Sequence, residues 1–290
     1  MSMKGLISGI KRMEIHDGDG LRTTVFFKGC PLKCVWCHNP ESISYEKQLA
    51  VFKSKCIECG SCVKICENGA IPSNEKCTHC FKCAENCPAD AIVPYGKEYD
   101  AETLVNELLI DAPFFKNGRG GVTLSGGECL SQPDFAIRVA KLLKEEGISV
   151  YVDTCGFAKK EVFERIIPFT DKFLFDIKAI DEQRHISATG KSNTIILDNV
   201  KFLDNMGCDI EIRIPLVPEY NADEIEDIAK FISELKNITA VKVLKYHNFA
   251  ASRYEALRME NTLPTQVPDD AETEKAKAII KTYCPNIKVE

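Results

Sequence analysis

Residues 122–153 read VTLSGGECLSQPDFAIRVAKLLKEEGISVYVD, and this stretch decides the fold class. Its ends, residues 122–125 (VTLS) and 149–153 (SVYVD), are short apolar runs of the kind a strand shows when both faces are buried. Between them, residues 134–146 (DFAIRVAKLLKEE) place apolar side chains at helical spacing, and Gly147 offers a stop. Strand, helix, strand is a βαβ unit, whose crossover packs right-handed on a parallel sheet. Outwards from it, residues 23–27 (TTVFF), 172–176 (KFLFD), 210–215 (IEIRIP) and 241–246 (VKVLKY) read as further buried strands. Residues 101–111 (AETLVNELLID) and 223–235 (DEIEDIAKFISEL) read as amphipathic helices. Six such strands fall short of the eight that close a full barrel. The expected fold is α/β, a partial (β/α)6 TIM-like barrel, with a doubly wound sheet as the structural alternative.

One segment breaks the alternation. Residues 51–97 hold eight cysteines and an internal repeat, CIECGSCVKICENGAI (56–71) echoed by CTHCFKCAENCPADAI (77–92). The expected organisation is a core built from residues 1–50 and 98–290, interrupted by a two-fold insert over 51–97. With 290 residues, 44% of them apolar, the chain can bury a sizeable core. Its net charge of −6 argues against a nucleic-acid binder. No run of about 18 apolar residues is present to span a membrane. The first twenty residues lack the apolar stretch of a signal peptide, so a cytoplasmic location is expected.

Eleven of the fifteen cysteines fall between Cys30 and Cys87, in three tight groups that suit metal binding in a reducing compartment better than disulfides. Cys56, Cys59, Cys62 and Cys66 have the spacing C-x2-C-x2-C-x3-C. Cys77, Cys80, Cys83 and Cys87 repeat it, with Pro88 following. That is the bacterial ferredoxin run, in which the fourth cysteine of each run ligates the other cluster. Cys56, Cys59, Cys62 and Cys87 are thus expected to hold one 4Fe–4S cluster, and Cys77, Cys80, Cys83 and Cys66 a second. A structural zinc site would instead take two cysteine pairs across a longer loop. The remaining group, Cys30, Cys34 and Cys37, follows the TTVFF strand directly. Three thiolates can hold three corners of a cubane and leave one iron open, as a catalytic metal requires.

GCPLKCVWCHNPES (29–42), with Trp36 before the third cysteine, resembles the signature of radical S-adenosylmethionine enzymes. More narrowly it is similar to the activating enzymes of glycyl radical enzymes, such as pyruvate formate-lyase activase, in the subgroup with a ferredoxin-type insert. The resemblance extends through HDGDGLRTTVFFKGC (16–30), GGVTLSGGEC (120–129), YVDTCG (151–156), DIK (176–178) and IRIPLVPEYN (212–221). It implies an anaerobic oxidoreductase that cleaves S-adenosylmethionine reductively to a 5′-deoxyadenosyl radical. That radical would take a hydrogen atom from a backbone glycine of a partner glycyl radical enzyme. Expected cofactors are three 4Fe–4S clusters, S-adenosylmethionine and a monovalent cation. Expected partners are the glycyl radical enzyme and a low-potential electron donor such as flavodoxin or ferredoxin.

The remaining site residues come from the same resemblance, read against simpler roles. Gly126, Gly127 and Glu128 match the motif that binds S-adenosylmethionine; glycines also mark ordinary tight turns. Asp153, Thr154 and Asp176 match positions beside the methionyl carboxylate and the cation. Lys178 matches a lysine near the substrate peptide, although Asp–Lys pairs are common on surfaces. Arg213 offers a planar fork for a carboxylate. His38 and His247 are expected near the cofactor, although a histidine is often only a satisfied polar group. Cys129 is expected to be a small buried hydrophobe and not a ligand. Asp19 stands where the family has proline. Two other readings fit part of the pattern: a radical enzyme acting on a small molecule or peptide, and a ferredoxin-like electron carrier. The carrier reading would leave Cys30, Cys34, Cys37 and the barrel strands without a task.

Overall fold

The computed structural model describes residues 3–69, 76–115 and 120–290. Ala70 and Ile71, which end the first copy of the repeat, lie outside the described residues. The described strands are β1 (Lys4–Glu14), β2 (Arg22–Phe27), β3 (Gln48–Val51), β4 (Ile92–Tyr95), β5 (Lys97–Asp100) and β6 (Gly121–Gly126). They continue with β7 (Ser149–Thr154), β8 (Lys172–Asp176), β9 (Ile210–Leu216), β10 (Ile238–Lys245) and β11 (Lys288–Val289). All six expected strands are present, each within a few residues of its expected bounds.

A nine-stranded sheet runs β11-β10-β9-β8-β7-β6-β2-β1-β5. Strands β2, β6, β7, β8, β9 and β10 are parallel neighbours in chain order. A doubly wound sheet would reverse its order at a switch point, so that alternative is excluded. The sheet also curls. β2 and β9 stand four strands apart, ~19 Å in a flat sheet at ~4.8 Å per strand. Yet the neighbouring residues His16 and Asp17 reach both. Asp17 accepts from Thr24 Oγ1 on β2 at 2.9 Å, and the His16 carbonyl accepts from Arg213 on β9 at 3.0 Å. Lys242 on β10 donates to the same carbonyl at 2.9 Å. The loop between β1 and β2 therefore crosses the inside of an open barrel.

Helices cover the outside. The helix Pro133–Glu145 starts with proline in its first turn, carries Asp134 there, and buries Phe135, Ala136, Val139, Ala140 and Leu143. Its end is closed by Gly147 in the left-handed region (φ 72), as the sequence suggests. β1 has no counterpart in the sequence reading, because only Gly5 and Ile7 of its eleven residues are buried and no clean alternation results.

The cysteine-rich segment rises from a separate antiparallel pair, β3 with β4. Its sequence repeat is also a backbone repeat. Glu58 and His79 are left-handed (φ 56 and 51), as are Gly60 and Phe81 (φ 70 and 65), at equivalent positions of the two runs. A short helix follows each, Ser61–Ile65 and Lys82–Glu85. Left-handed backbone at a phenylalanine is uncommon.

Candidate active site

The loops at the C-terminal ends of β2 and β6 to β10 enclose a cavity of ≈ 230 Å³. In a barrel of parallel strands this is the catalytic end. The loop after β2 contributes Cys30, Cys34, Trp36, Cys37 and His38. β6 and its turn bring Ser125, Gly126 and Gly127, and β7 brings Asp153, Thr154 and Cys155. Asp176 and Lys178 come from β8, Arg213 from β9, and Tyr246 from the end of β10.

Backbone bonds shape the cysteine loop. Gly29 N donates to Ser42 O at 2.8 Å, Cys30 N to Ile43 O at 3.0 Å, and Val35 N to Ala188 O at 2.9 Å. Trp36 is buried against Ala188, Val217 and Tyr246, with the Tyr220 ring edge-on at 5.3 Å. None of the fifteen cysteines is joined to another in a disulfide. Burial pushes the Cys34 thiol up to about 12 and raises Cys37 as well, with Lys178 opposing both shifts. Cys30 moves the other way, chiefly because the Cys155 thiol sits beside it. Cys30, Cys34 and Cys37 all line this cavity. Three separated thiols around one cavity suit the separate irons of a cluster.

The turn after β6 lies against that loop. A Cβ on Gly127 would stand 2.3 Å from Ser42 O and 2.6 Å from Gly29 O, so only glycine allows this approach. Glu128 does not line the cavity. Its buried carboxylate accepts from Leu130 N at 2.9 Å, Thr154 Oγ1 at 2.9 Å and Cys155 N at 2.8 Å, tying the turn to the end of β7. Burial raises its pKa, and those bonds pull it back.

Asp153 is pushed up to about 7, first by burial, with Asp176 and Asp17 adding to the rise and Arg213 opposing it. Ser125 Oγ donates to it at 2.5 Å. Lys178 bonds Asp176 at 2.7 Å. Burial works against its charge, but Asp176 and Cys34 hold the ammonium well above its usual range. The pair thus faces the cavity and is not on the surface. Arg213 lines the cavity and donates to Glu211 at 3.1 Å and to the His16 carbonyl at 3.0 Å, with Asp17 at 3.6 Å and Asp153 at 3.8 Å.

His38 lines the cavity and His247 does not. Their rings stack at 4.1 Å, and a His38 ring nitrogen bonds His247 O at 2.7 Å. Burial, then His247, lowers His38 to about 4, so it is neutral. Asp19 stands in the loop after β1, ion-paired to Lys172 at 3.1 Å and bonded by Tyr151 Oη at 3.0 Å. Cys129 is fully buried, as expected. The sequence reading missed Ser125, Cys155 and Tyr246. Their one sequence signal is position, since each stands at or just past the C-terminal end of a strand. In the insert, one small cavity is lined by Cys66 together with Cys77, Cys80 and Cys83.

The family model described as the radical SAM superfamily matches residues 73–232, and a 4Fe-4S binding domain matches residues 49–71. The chain is 42% identical to a trans-4-hydroxy-L-proline dehydratase activating enzyme from Clostridioides difficile, over 99% of either chain. It is 34% identical to a choline trimethylamine-lyase activating enzyme from Oleidesulfovibrio alaskensis, over 97% of this chain and 96% of that one. A solved domain of a pyruvate-formate lyase-activating enzyme from Bacteroides vulgatus superposes with a TM-score of 0.50 at 29% identity. It covers 59% of this chain and 98% of its own.

The chain belongs to the radical SAM superfamily, among the activating enzymes of glycyl radical enzymes. It is an oxidoreductase that cleaves S-adenosylmethionine reductively to abstract hydrogen from a glycine of a partner enzyme. Its cofactors include S-adenosylmethionine with a 4Fe–4S cluster and a further 4Fe–4S unit. No described helix is long and apolar enough to cross a membrane.

Proposed function

We propose that Cys30, Cys34 and Cys37 hold the catalytic cluster and that S-adenosylmethionine binds beside it in the ≈ 230 Å³ cavity. The observation that carries this reading is the convergence of three thiols, a glycine turn, Asp153, Asp176 and Lys178 on one enclosed space. When bound, the cluster and S-adenosylmethionine supply the electron and the 5′-deoxyadenosyl radical. The protein's part is to bind and orient. Gly126 and Gly127 let the turn close on β2 and the cysteine loop and present their backbone to the methionyl group, and Glu128 holds the turn to Thr154. Asp153 and Asp176 offer charge to a monovalent cation, and Lys178 and Arg213 offer charge to a carboxylate. Trp36 fixes the cysteine loop. His38, backed by the stacked ring of His247, offers an aromatic face suited to a base.

The insert is read as residues 51–97 carrying two more 4Fe–4S clusters, for three in all. The gathering of Cys66 with Cys77, Cys80 and Cys83 supports the crossed ligation. Cys56, Cys59, Cys62 and Cys87 would then hold the other. Electrons would come from a flavodoxin or ferredoxin in the cytoplasm. The full-length likeness at 42% identity makes a trans-4-hydroxy-L-proline dehydratase the first partner to try.

The test is anaerobic iron analysis with electron paramagnetic resonance of the reduced protein, before and after S-adenosylmethionine. Three clusters predict ~12 irons per chain. One signal should shift with S-adenosylmethionine and vanish when Cys30, Cys34 and Cys37 are replaced. Incubation with the dehydratase should then give a glycyl radical signal. About 8 irons and no responsive signal would defeat the reading.

A further inference from the structure

The motif IRIPLVPEYN ends in Asn221, and no step described so far uses that residue. Asn221 is fully buried. Its amide Nδ2 donates to Lys178 O at 2.8 Å and to Pro215 O at 2.7 Å, and its Oδ1 accepts from Val217 N at 2.8 Å. One side chain therefore joins the loop after β8 to the end of β9, with every hydrogen-bonding group satisfied. Three residues on, Glu224 accepts from Asp181 N at 3.0 Å, a second tie between the same two loops.

The same segment also supports the cysteine loop. Val217 and Tyr220 pack on Trp36, which stands between Cys34 and Cys37. Lys33 N and Val35 N donate to Thr189 O and Ala188 O at 2.8 and 2.9 Å. These two belong to the helix Glu182–Thr189, which starts just beyond the tied loop. Val217–Asn221 is thus a bracket with Trp36 on one side and the Lys178 main chain on the other. The ammonium of Lys178 reaches the cavity from that main chain and is held there by Asp176.

We infer that Asn221 is a positioning residue for the cofactor: it sets where Lys178 stands relative to the cysteine loop, and so how tightly S-adenosylmethionine is held. The inference rests on the reading that this cavity takes S-adenosylmethionine. Asn221→Asp keeps the size and the acceptor for Val217 N. It replaces the two donors with an oxygen facing two carbonyl oxygens, which releases the Lys178 loop. Asn221→Ser keeps one donor on a shorter side chain.

The experiment uses the reconstituted full chain under anaerobic conditions, with iron content, the resonance spectrum of the reduced catalytic cluster, and its titration with S-adenosylmethionine. Asn221→Asp is expected to keep its iron and its spectrum without S-adenosylmethionine. The concentration needed for the spectral change should rise at least about tenfold, as expected for the loss of one hydrogen bond to a charged group. Asn221→Ser should fall between Asn221→Asp and wild type. A merely structural role would lower melting temperature and iron content without a selective effect on the titration. An unchanged titration in either iron-replete variant, or iron loss in both, overturns the inference. If Asn221→Asp alone loses iron, a weakened titration in Asn221→Ser upholds it. A wild-type spectrum indifferent to S-adenosylmethionine would instead remove the cavity reading itself, and the inference with it.

Discussion

Gly127→Ala tests whether the turn after β6 and the cysteine loop act as one unit. The new Cβ would lie 2.3 Å from Ser42 O, against an ordinary contact of 3.4 Å or more, so the two segments must part by 3.4 − 2.3 = about 1.1 Å. Neither neighbour is a flexible side-chain end; both close contacts, Ser42 O and Gly29 O, are backbone. Gly127 N itself donates to Phe27 O at 2.9 Å, and Glu128 N to Gly29 O at 2.9 Å, so the parting strains those bonds too. Overpacking of this kind costs about 1–3 kcal/mol of stability. The larger effect is expected on chemistry, since a displacement near 1 Å between reacting groups can cost ~100-fold. The assay is 5′-deoxyadenosine formation by the reduced, iron-replete variant, measured by chromatography alongside the S-adenosylmethionine titration. A variant with wild-type turnover and affinity would refute the idea that the glycine is there for close backbone approach.

Glu128→Gln should destabilise the protein by about 1–3 kcal/mol in denaturant, because its NH2 would face either the Leu130 N donor or the Thr154 and Cys155 donors; unchanged stability would mean the carboxylate is not that tie. Asp153 gives a pH signature. With a folded pKa of about 7 against the ordinary 3.8, the folded state holds its proton more tightly. That contribution is complete below about pH 4 and is lost as pH rises through 7, with an upper bound on the order of 4 kcal/mol. Metal-free protein should therefore melt lower at pH 8 than at pH 5.5, and Asp153→Asn should flatten that slope; equal slopes would contradict the assignment. In the insert, Cys66→Ser and Cys80→Ser should each cost ~4 irons and erase the same spectral component, while Cys87→Ser erases a different one. Loss of one shared component by Cys80→Ser and Cys87→Ser would instead mean that each run holds its own cluster.

The chemistry of this protein was legible along the chain because it depends on spacing. A thiolate ligand set of the form C-x3-C-x2-C, or a duplicated ferredoxin run, is local, and local geometry follows from a few consecutive residues. The six parallel strands were legible for a similar reason: burial on both faces demands an unbroken apolar run, as in residues 172–176. β1 was not, since a hairpin strand with one half-exposed face leaves a mixed pattern that matches no period. Tertiary structure alone decided which side chains of the motifs reach the cavity. Glu128 turns away to bond Thr154 and Cys155 and His247 stacks behind His38, whereas Arg213 lines the cavity while bonded to Glu211 and the His16 carbonyl. Asn221 reaches Lys178 across 43 residues of sequence. Such contacts are set by the curl of the sheet, which brings the loop between β1 and β2 across to β9. No run of neighbouring residues encodes a distance between strands four places apart.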